Sequence, residues 1–162
     1  MNVFVFPGQG SQHLGMGADL YNSNRKAQQI FEDANEILGF KITDIMFGED
    51  QEALKQTNIT QPAIYIHSMV TAIIANKFFK PDAVAGHSLG EFTALAAANY
   101  ISFEDGLRLV QKRAVAMQEA CEKNESSMAA IVGLEDKTVE DVCLQSKETL
   151  VAANYNCPGQ IV

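Results

Sequence analysis

A serine lies at the centre of GHSLG, residues 86–90, which matches the G-x-S-x-G pattern of a nucleophile elbow. A short apolar run, Ala83–Ala85, precedes it, and alanine-rich helical sequence, Glu91–Ala98, follows it. In that strand–turn–helix setting the turn exposes the serine hydroxyl, and the N-terminus of the helix directs N–H groups toward the reacting centre. We therefore predict that Ser88 is a catalytic nucleophile and that the backbone N–H of Leu89 stabilises the oxyanion. The alternative is a structural turn with an incidental serine.

A serine nucleophile needs a base to accept its proton, and none of the three histidines has a strong claim to that role. His87 adjoins Ser88, but the side chains of adjacent residues diverge in a sharp turn. His67 falls within a predicted helix, where a lone histidine is more often packed or exposed than catalytic. His13 lies in the opening loop and stays an open alternative. The sequence therefore leaves the base unassigned.

A second loop that could take part in catalysis lies at the start of the chain, where the apolar run Val3–Phe6 is followed by PGQGSQ, residues 7–12. A dinucleotide-binding fingerprint would need a small residue at His13, and the lysine of a P-loop is missing, so phosphate binding is only a minor alternative. Loops at the carboxyl ends of parallel strands gather at one edge of a sheet. Because glycine lets a backbone approach closely, we predict that this loop supplies the second oxyanion donor.

The elements between and after these loops are predicted from spacing and end signals. Arg25–Leu38 repeats apolar residues at helical spacing, with Asn24 as the N-cap and Gly39 as the stop. Further helices are expected over Ile42–Phe47, Glu52–Lys55 and Lys137–Gln145, and further strands over Met128–Val132, Leu150–Tyr155 and Gly159–Val162.

Two longer helices carry clear signals at their starts. Ala63–Phe79 continues in helical register, with Thr60 as a cap and Pro62 in the first turn. Ser102 and Asp105 form a predicted capping box for a helix that runs to about Glu122.

The polar stretch Lys123–Ser127 is the predicted linker between two domains, residues 1–125 and residues 126–162. The β-α-β-β order beyond the linker is half of a ferredoxin-like unit. Because the last residue falls inside an apolar run, we expect that the second domain is truncated.

Composition excludes several functional classes. The 162-residue chain has a formal charge of −8, which argues against nucleic acid as the main partner. No run of about 18 apolar residues spans a membrane, and no signal peptide is evident, so a cytoplasmic location is the default expectation. The scattered histidines and cysteines lack the spacing of metal ligands, so no metal site is predicted.

Short motifs along the whole chain, in order, resemble those of the malonyl-CoA:acyl carrier protein transacylases of fatty acid synthesis. They are FPGQGSQ (residues 6–12), Gly15-Met16, Gln61-Pro62-Ala63, GHSLGE (residues 86–91), Arg113, Met117-Gln118, Asn154-Tyr155-Asn156 and Pro158-Gly159-Gln160. The resemblance implies an α/β-hydrolase-like large domain with a parallel sheet and a small ferredoxin-like domain, of which this chain contains the start.

The same resemblance implies a role for each site residue. Ser88 is the nucleophile that carries the acyl group, and the N–H groups of Gln9 and Leu89 form the oxyanion hole. Arg113 binds the free malonyl carboxylate with its planar fork. His87 and Met117 complete the substrate site.

The implied reaction is ping-pong transfer of malonyl from malonyl-CoA to the phosphopantetheine thiol of acyl carrier protein, with no further cofactor. The family's base is a histidine in a downstream stretch that this sequence does not contain, so we expect the isolated chain to turn over poorly. An acyltransferase domain of a polyketide-type synthase and a serine esterase of the α/β-hydrolase type are the alternatives.

Overall fold

The two strands that precede the functional loops pair in parallel, which brings those loops to one edge of the sheet. Strand β1 (Val3–Phe6) lies beside β2 (Ala83–Gly86), and Phe6 is opposite Gly86 where both strands end. The sequence predicts this arrangement, and the computed structural model, which describes residues 1–123 and 127–162, confirms it as an α/β fold with a parallel sheet.

The chain divides into two units, Met1–Lys123 and Asn124–Val162. The predicted linker and the predicted boundary between residues 125 and 126 centre on residues 124–126, which lie outside the described residues.

Seven helices of the larger unit are described in addition to its two strands. They are α1 (Ala18–Ser23), α2 (Arg25–Leu38), α3 (Ile42–Phe47), α4 (Gln51–Lys55), α5 (Thr57–Ala75), α6 (Gly90–Ala97) and α7 (Phe103–Lys123), with a 3₁₀ turn at Asn76–Phe78 after α5. Within residues 1–123 and 127–162, no helix combines the length and the apolar character that crossing a bilayer requires.

The predicted ends of α2 and the start of α7 are confirmed. The side chain of Asn24 accepts hydrogen bonds from the N–H groups of Lys26 and Ala27, and Gly39 ends α2 in the left-handed conformation at φ 78°. At α7, the Ser102 hydroxyl accepts a bond from the N–H of Asp105 at 3.0 Å. These side chains satisfy N–H groups that a helix start leaves unpaired.

Helix α5 begins earlier than the sequence predicts, so Pro62 lies inside the helix rather than in its first turn. The first turn forms on the carbonyl of Gln56, which accepts from the N–H groups of Ile59 and Thr60. The Thr60 hydroxyl does not cap the helix, because it donates to the carbonyl of Leu54 at 2.5 Å. Because proline has no N–H, the helix lacks one backbone hydrogen bond in its second turn. The residues on both sides of Pro62 are buried, and their packing stabilises the helix.

Helices α5 and α7 pack against each other in the core of the larger unit. Tyr65 of α5 is fully buried, stacks on Phe103 with ring centroids 5.7 Å apart and donates its hydroxyl to the Phe103 carbonyl at 3.0 Å. Burial raises the pKa of Tyr65, so the phenol stays a neutral donor. This packing holds the two helices that carry the polar side chains of the site.

The smaller unit has the predicted β-α-β-β order, formed by β3 (Ile131–Val132), α8 (Asp136–Gln145), β4 (Tyr155–Cys157) and β5 (Gln160–Ile161). Its sheet is antiparallel, in the order β3-β5-β4. The predicted strand Leu150–Tyr155 is wrong in its bounds, since β4 starts only at Tyr155. The N–H groups of Ala153 and Asn154 both donate to the carbonyl of Val162. Two donors on one carbonyl do not form the regular hydrogen-bond pattern of a β-ladder. The predicted strand Met128–Val132 is likewise reduced to its last two residues.

Candidate active site

Ser88 occupies a strained turn between β2 and α6. Its φ of 55° places it in the left-handed region, where a residue with a side chain costs about 1–2 kcal/mol. The turn is held from both sides, because the N–H of His87 bonds to the carbonyl of Phe6 at 3.0 Å and the N–H of Glu91 bonds to the carbonyl of Ser88 at 3.1 Å. The Ser88 side chain is exposed as a result. Such strain at an exposed serine is typical of a nucleophile elbow.

The two glycines of GHSLG are required because the backbone is crowded on both sides of the serine. A Cβ atom on Gly86 would collide with the backbone of Gly90. A Cβ atom on Gly90 would meet the carbonyl oxygens of Phe6 and Pro7, the second at 2.8 Å. The motif therefore lets helix α6 start directly against the end of β1.

The opening loop lies directly against this elbow. A Cβ atom on Gly8 would be 2.7 Å from the carbonyl oxygen of His87 and 3.6 Å from Cβ of Ser88. Leu89 is fully buried behind the turn, whereas Gln9 lies in the exposed loop. Within residues 1–123 and 127–162, no hydrogen bond uses the backbone N–H of either Gln9 or Leu89. Two N–H groups beside the elbow are thus available to a ligand, as an oxyanion hole requires.

Arg113 of α7 reaches both the serine and a buried glutamine. Its Nη2 donates to Oγ of Ser88 at 2.8 Å, and its Nη1 donates to Oε1 of Gln61 at 2.5 Å. The arginine is partly buried, and none of the ion pairs among the described residues involves it. A guanidinium bound only to neutral acceptors retains its charge for an anion, and its geometry suits a carboxylate.

Gln61 is a site residue for which the sequence predicts no role. The residue lies on α5 and is fully buried. Its Nε2 lies 3.4 Å from Oε1 of Gln9 and 3.3 Å from Sδ of Met117. Gln61 therefore joins the opening loop, α5 and α7 at one point. The available signal was a glutamine that begins an otherwise apolar helical stretch, because a polar side chain there must find partners inside the protein.

The structure brings Gln9, Ser88, Leu89, Arg113 and Met117 around one point in the larger unit. The fifth of these, Met117, is about half-exposed and contacts the site through Gln61. The remaining predicted substrate residue, His87, is exposed beside Ser88.

No histidine in the described part of the chain forms a hydrogen bond with Ser88. The rings of His13 and His67 instead face each other edge to face, with centroids 6.2 Å apart. Burial, with a further contribution from His13, lowers the pKa of His67. Residues 1–123 and 127–162 also contain no group of three or more histidine, cysteine or acidic side chains that could hold a metal ion.

Comparison with known proteins identifies relatives along nearly the whole chain. Residues 3–162 match the sequence profile of the acyl transferase domain family. The chain is 44% identical over 163 residues to the malonyl CoA-acyl carrier protein transacylase of Staphylococcus aureus (strain MRSA252), covering 99% of this chain and 53% of that protein.

Solved structures similar to this chain are also malonyl transacylases. The malonyl-CoA:ACP transacylase of Synechocystis sp. PCC 6803 superposes with a TM-score of 0.87 at 39% identity, over 98% of this chain and 53% of the other. A malonyl-transacylase in complex with its type II PKS acyl-carrier protein superposes with a TM-score of 0.85 at 34% identity, over 98% and 53%. The chain spans about half the length of the curated relatives that it matches.

Proposed function

Since the chain belongs to the acyl transferase domain family, we propose that the protein containing it is a malonyl-CoA:acyl carrier protein transacylase of fatty acid biosynthesis. It moves a malonyl group from malonyl-CoA to the phosphopantetheine thiol of acyl carrier protein. The names of the S. aureus and Synechocystis relatives support this substrate pair, and a relative bound to its carrier protein supports the partner.

In the first half-reaction, Oγ of Ser88 attacks the thioester carbonyl carbon and gives its proton to a base. The carbonyl oxygen becomes negative and accepts hydrogen bonds from the N–H groups of Gln9 and Leu89. The C–S bond then breaks, the sulfur of coenzyme A takes up a proton, and the malonyl group remains as an ester on Ser88. In the second half-reaction, the carrier thiol gives its proton to the base and its sulfur attacks the ester carbonyl; the C–O bond to Ser88 breaks, and Oγ of Ser88 takes up a proton.

One observation carries this proposal: the 2.8 Å hydrogen bond between Nη2 of Arg113 and Oγ of Ser88. In a malonyl group, a single methylene separates the carboxylate from the carbonyl carbon that the nucleophile attacks. A cation that binds this carboxylate must therefore lie beside the nucleophile, as Arg113 does. An acetyl group would leave the partly buried arginine unpaired, which disfavours it.

The proposal extends to the other predicted features. His87 supports the elbow, and Met117 lines the acyl site beside Gln61. The larger unit is an α/β-hydrolase-like domain, the smaller unit is the first part of a ferredoxin-like domain, and the protein acts in the cytoplasm. Coenzyme A enters as part of the substrate, and no separate cofactor takes part.

A transfer assay tests this function. The full-length protein that contains this chain is incubated with malonyl-CoA and a phosphopantetheinylated acyl carrier protein, and the carrier is analysed by mass spectrometry. We expect malonyl on the carrier and an equal amount of free coenzyme A. Release of coenzyme A with free malonate and an unmodified carrier would instead identify a hydrolase.

A further inference from the structure

We propose that Gln61 determines acyl specificity: its neutral amide orients Arg113 while leaving the positive charge of the guanidinium free for the substrate carboxylate. This inference rests on the proposed function, because it concerns the same substrate group. It assigns a role to a side chain that is not predicted to touch the reacting atoms.

The contacts of Gln61 make it suited to positioning the arginine. The side chain is fully buried, and its Oε1 accepts from Nη1 of Arg113 at 2.5 Å. Because the other nitrogen of the same guanidinium bonds to Ser88, two contacts fix the plane of the fork beside the nucleophile. Loss of the Gln61 contact would free Arg113 to rotate about its long side chain.

The orientation of the amide is also determined. Its Nε2 faces two acceptors, Oε1 of Gln9 and Sδ of Met117. A flipped amide would place its carbonyl oxygen against that of Gln9 and its NH₂ group against the NH₂ group of Arg113, so both ends would be repelled. The amide therefore presents an acceptor, and not a donor, to the arginine.

The absence of charge on Gln61 is the decisive feature. A carboxylate of the same shape would accept the same hydrogen bond but would also form a buried ion pair with Arg113. The malonyl carboxylate would then bring a second negative charge to an arginine that is already paired. Among the described residues no carboxylate forms an ion pair with Arg113, so the chain preserves this charge.

The test replaces Gln61 by glutamate, which has nearly the same shape but adds a negative charge. Gln51→Glu serves as the matched control, because it makes the same change at an exposed position in the first turn of α4. A second variant, Gln61→Met, removes the hydrogen-bond acceptor without adding charge. Circular dichroism and the unfolding temperature establish that each variant is folded.

Binding of free malonate, measured as the rise in unfolding temperature, tests the charge argument without any chemistry. We expect malonate to stabilise the native protein and the Gln51→Glu control. We expect no such stabilisation of Gln61→Glu. Equal stabilisation of Gln61→Glu and the native protein, or none of the native protein, would overturn the proposal.

Acylation by malonyl-CoA and acetyl-CoA, measured separately, gives the specificity. In Gln61→Glu, kcat/KM for malonyl-CoA should fall at least about tenfold, mainly through KM, as expected for a lost bond to a charged group. The value for acetyl-CoA should fall much less, because acetyl has no carboxylate for Arg113 to bind, and any disturbance passed through the contact between Gln61 and Gln9 affects both substrates alike. Gln61→Met should show a smaller loss for malonyl-CoA, which separates orientation from charge.

Equal losses for the two substrates in folded Gln61→Glu and Gln61→Met would mean that Gln61 supports the structure alone, and would overturn the proposal. Failure of the proposed function has a different signature: the native protein would form no ester from either thioester. In that case the malonate measurement still decides whether Gln61 leaves the charge of Arg113 available to a carboxylate.

Discussion

Arg113 donates a hydrogen bond from its Nη2 to Oγ of Ser88 over 2.8 Å, although the two residues lie on different elements and are 25 positions apart in the chain. The strained turn presents the hydroxyl, and α7 places the cation beside it. Under the roles proposed for Ser88 and Arg113, this contact favours a short substrate that carries its negative charge close to the reactive carbonyl.

Replacing Arg113 by alanine should abolish the preference for malonyl over acetyl groups. Loss of a bond to a charged group costs about 1.5–3 kcal/mol, so kcat/KM for malonyl-CoA should fall by at least about tenfold. Rates with acetyl-CoA should change little. Arg108→Ala is the matched control, because that arginine lies on the same helix but is exposed and paired with Glu104. Unchanged selectivity in Arg113→Ala would rule out the carboxylate-binding role.

The length of the acyl group should matter as much as its charge. Succinyl-CoA carries the same terminal carboxylate, but a second methylene separates it from the reactive carbonyl. Because Arg113 contacts Ser88, the longer succinyl group must adopt a bent conformation or displace the arginine. Succinyl-CoA should therefore be a poor substrate. Competition between the two thioesters, read from the mass of the acylated protein, measures this preference. Equal labelling would contradict the geometry.

The close approach of the opening loop should be sensitive to a single methyl group. In Gly8→Ala the new Cβ would meet the His87 carbonyl at 2.7 Å, so the loop must move away from the elbow. If the N–H of Gln9 is an oxyanion donor, kcat should fall by about 100- to 1,000-fold. The KM for malonyl-CoA should change much less, and circular dichroism checks that the fold is retained. An unchanged kcat would remove the loop from the oxyanion hole.

His67 should make stability depend on pH. Burial and the nearby His13 lower its pKa in the folded state, and Asp19 opposes this only in part. The unfolded chain therefore binds the proton first, and native stability falls as pH drops below the ordinary histidine value of about 6.5. Well above that value, where His67 is neutral in both states, it contributes no pH dependence.

The His67→Gln variant lacks this titration. As pH falls from about 7 to about 5, the unfolding temperature of the native protein should decrease more than that of the variant. A difference that stays constant over this range would contradict the lowered pKa.

Local rules were sufficient to predict the elements that hold the site. The strand–turn–helix setting of Ser88 and the stop at Pro7 are encoded within a few residues. Once β1 and β2 are taken as parallel neighbours, the rule that loops after parallel strands share an edge places the two loops together. The carboxylate-binding role of Arg113, by contrast, is predicted only by the resemblance to the transacylases, because a charged residue on an amphipathic helix is ordinarily solvated.

The features that the sequence did not reveal depend on tertiary packing. Pro62 indicates a helix start, but α5 begins at Thr57. The carbonyl of Gln56 accepts the first hydrogen bonds of the helix, and packing on α7 stabilises it. The role of Gln61 depends on Arg113, which lies 52 positions away in the chain. Such a contact exists only after the helices have packed, and no local pattern encodes it.

The most direct test of the account is the site of acylation. The protein is incubated with malonyl-CoA, its intact mass is measured, and the modified peptide is sequenced by tandem mass spectrometry. We predict a single malonyl adduct on the Ser88 hydroxyl of the native protein and no adduct on a folded Ser88→Ala variant. An adduct that persists in Ser88→Ala, or that maps to another residue, would contradict the assignment of Ser88 as the nucleophile.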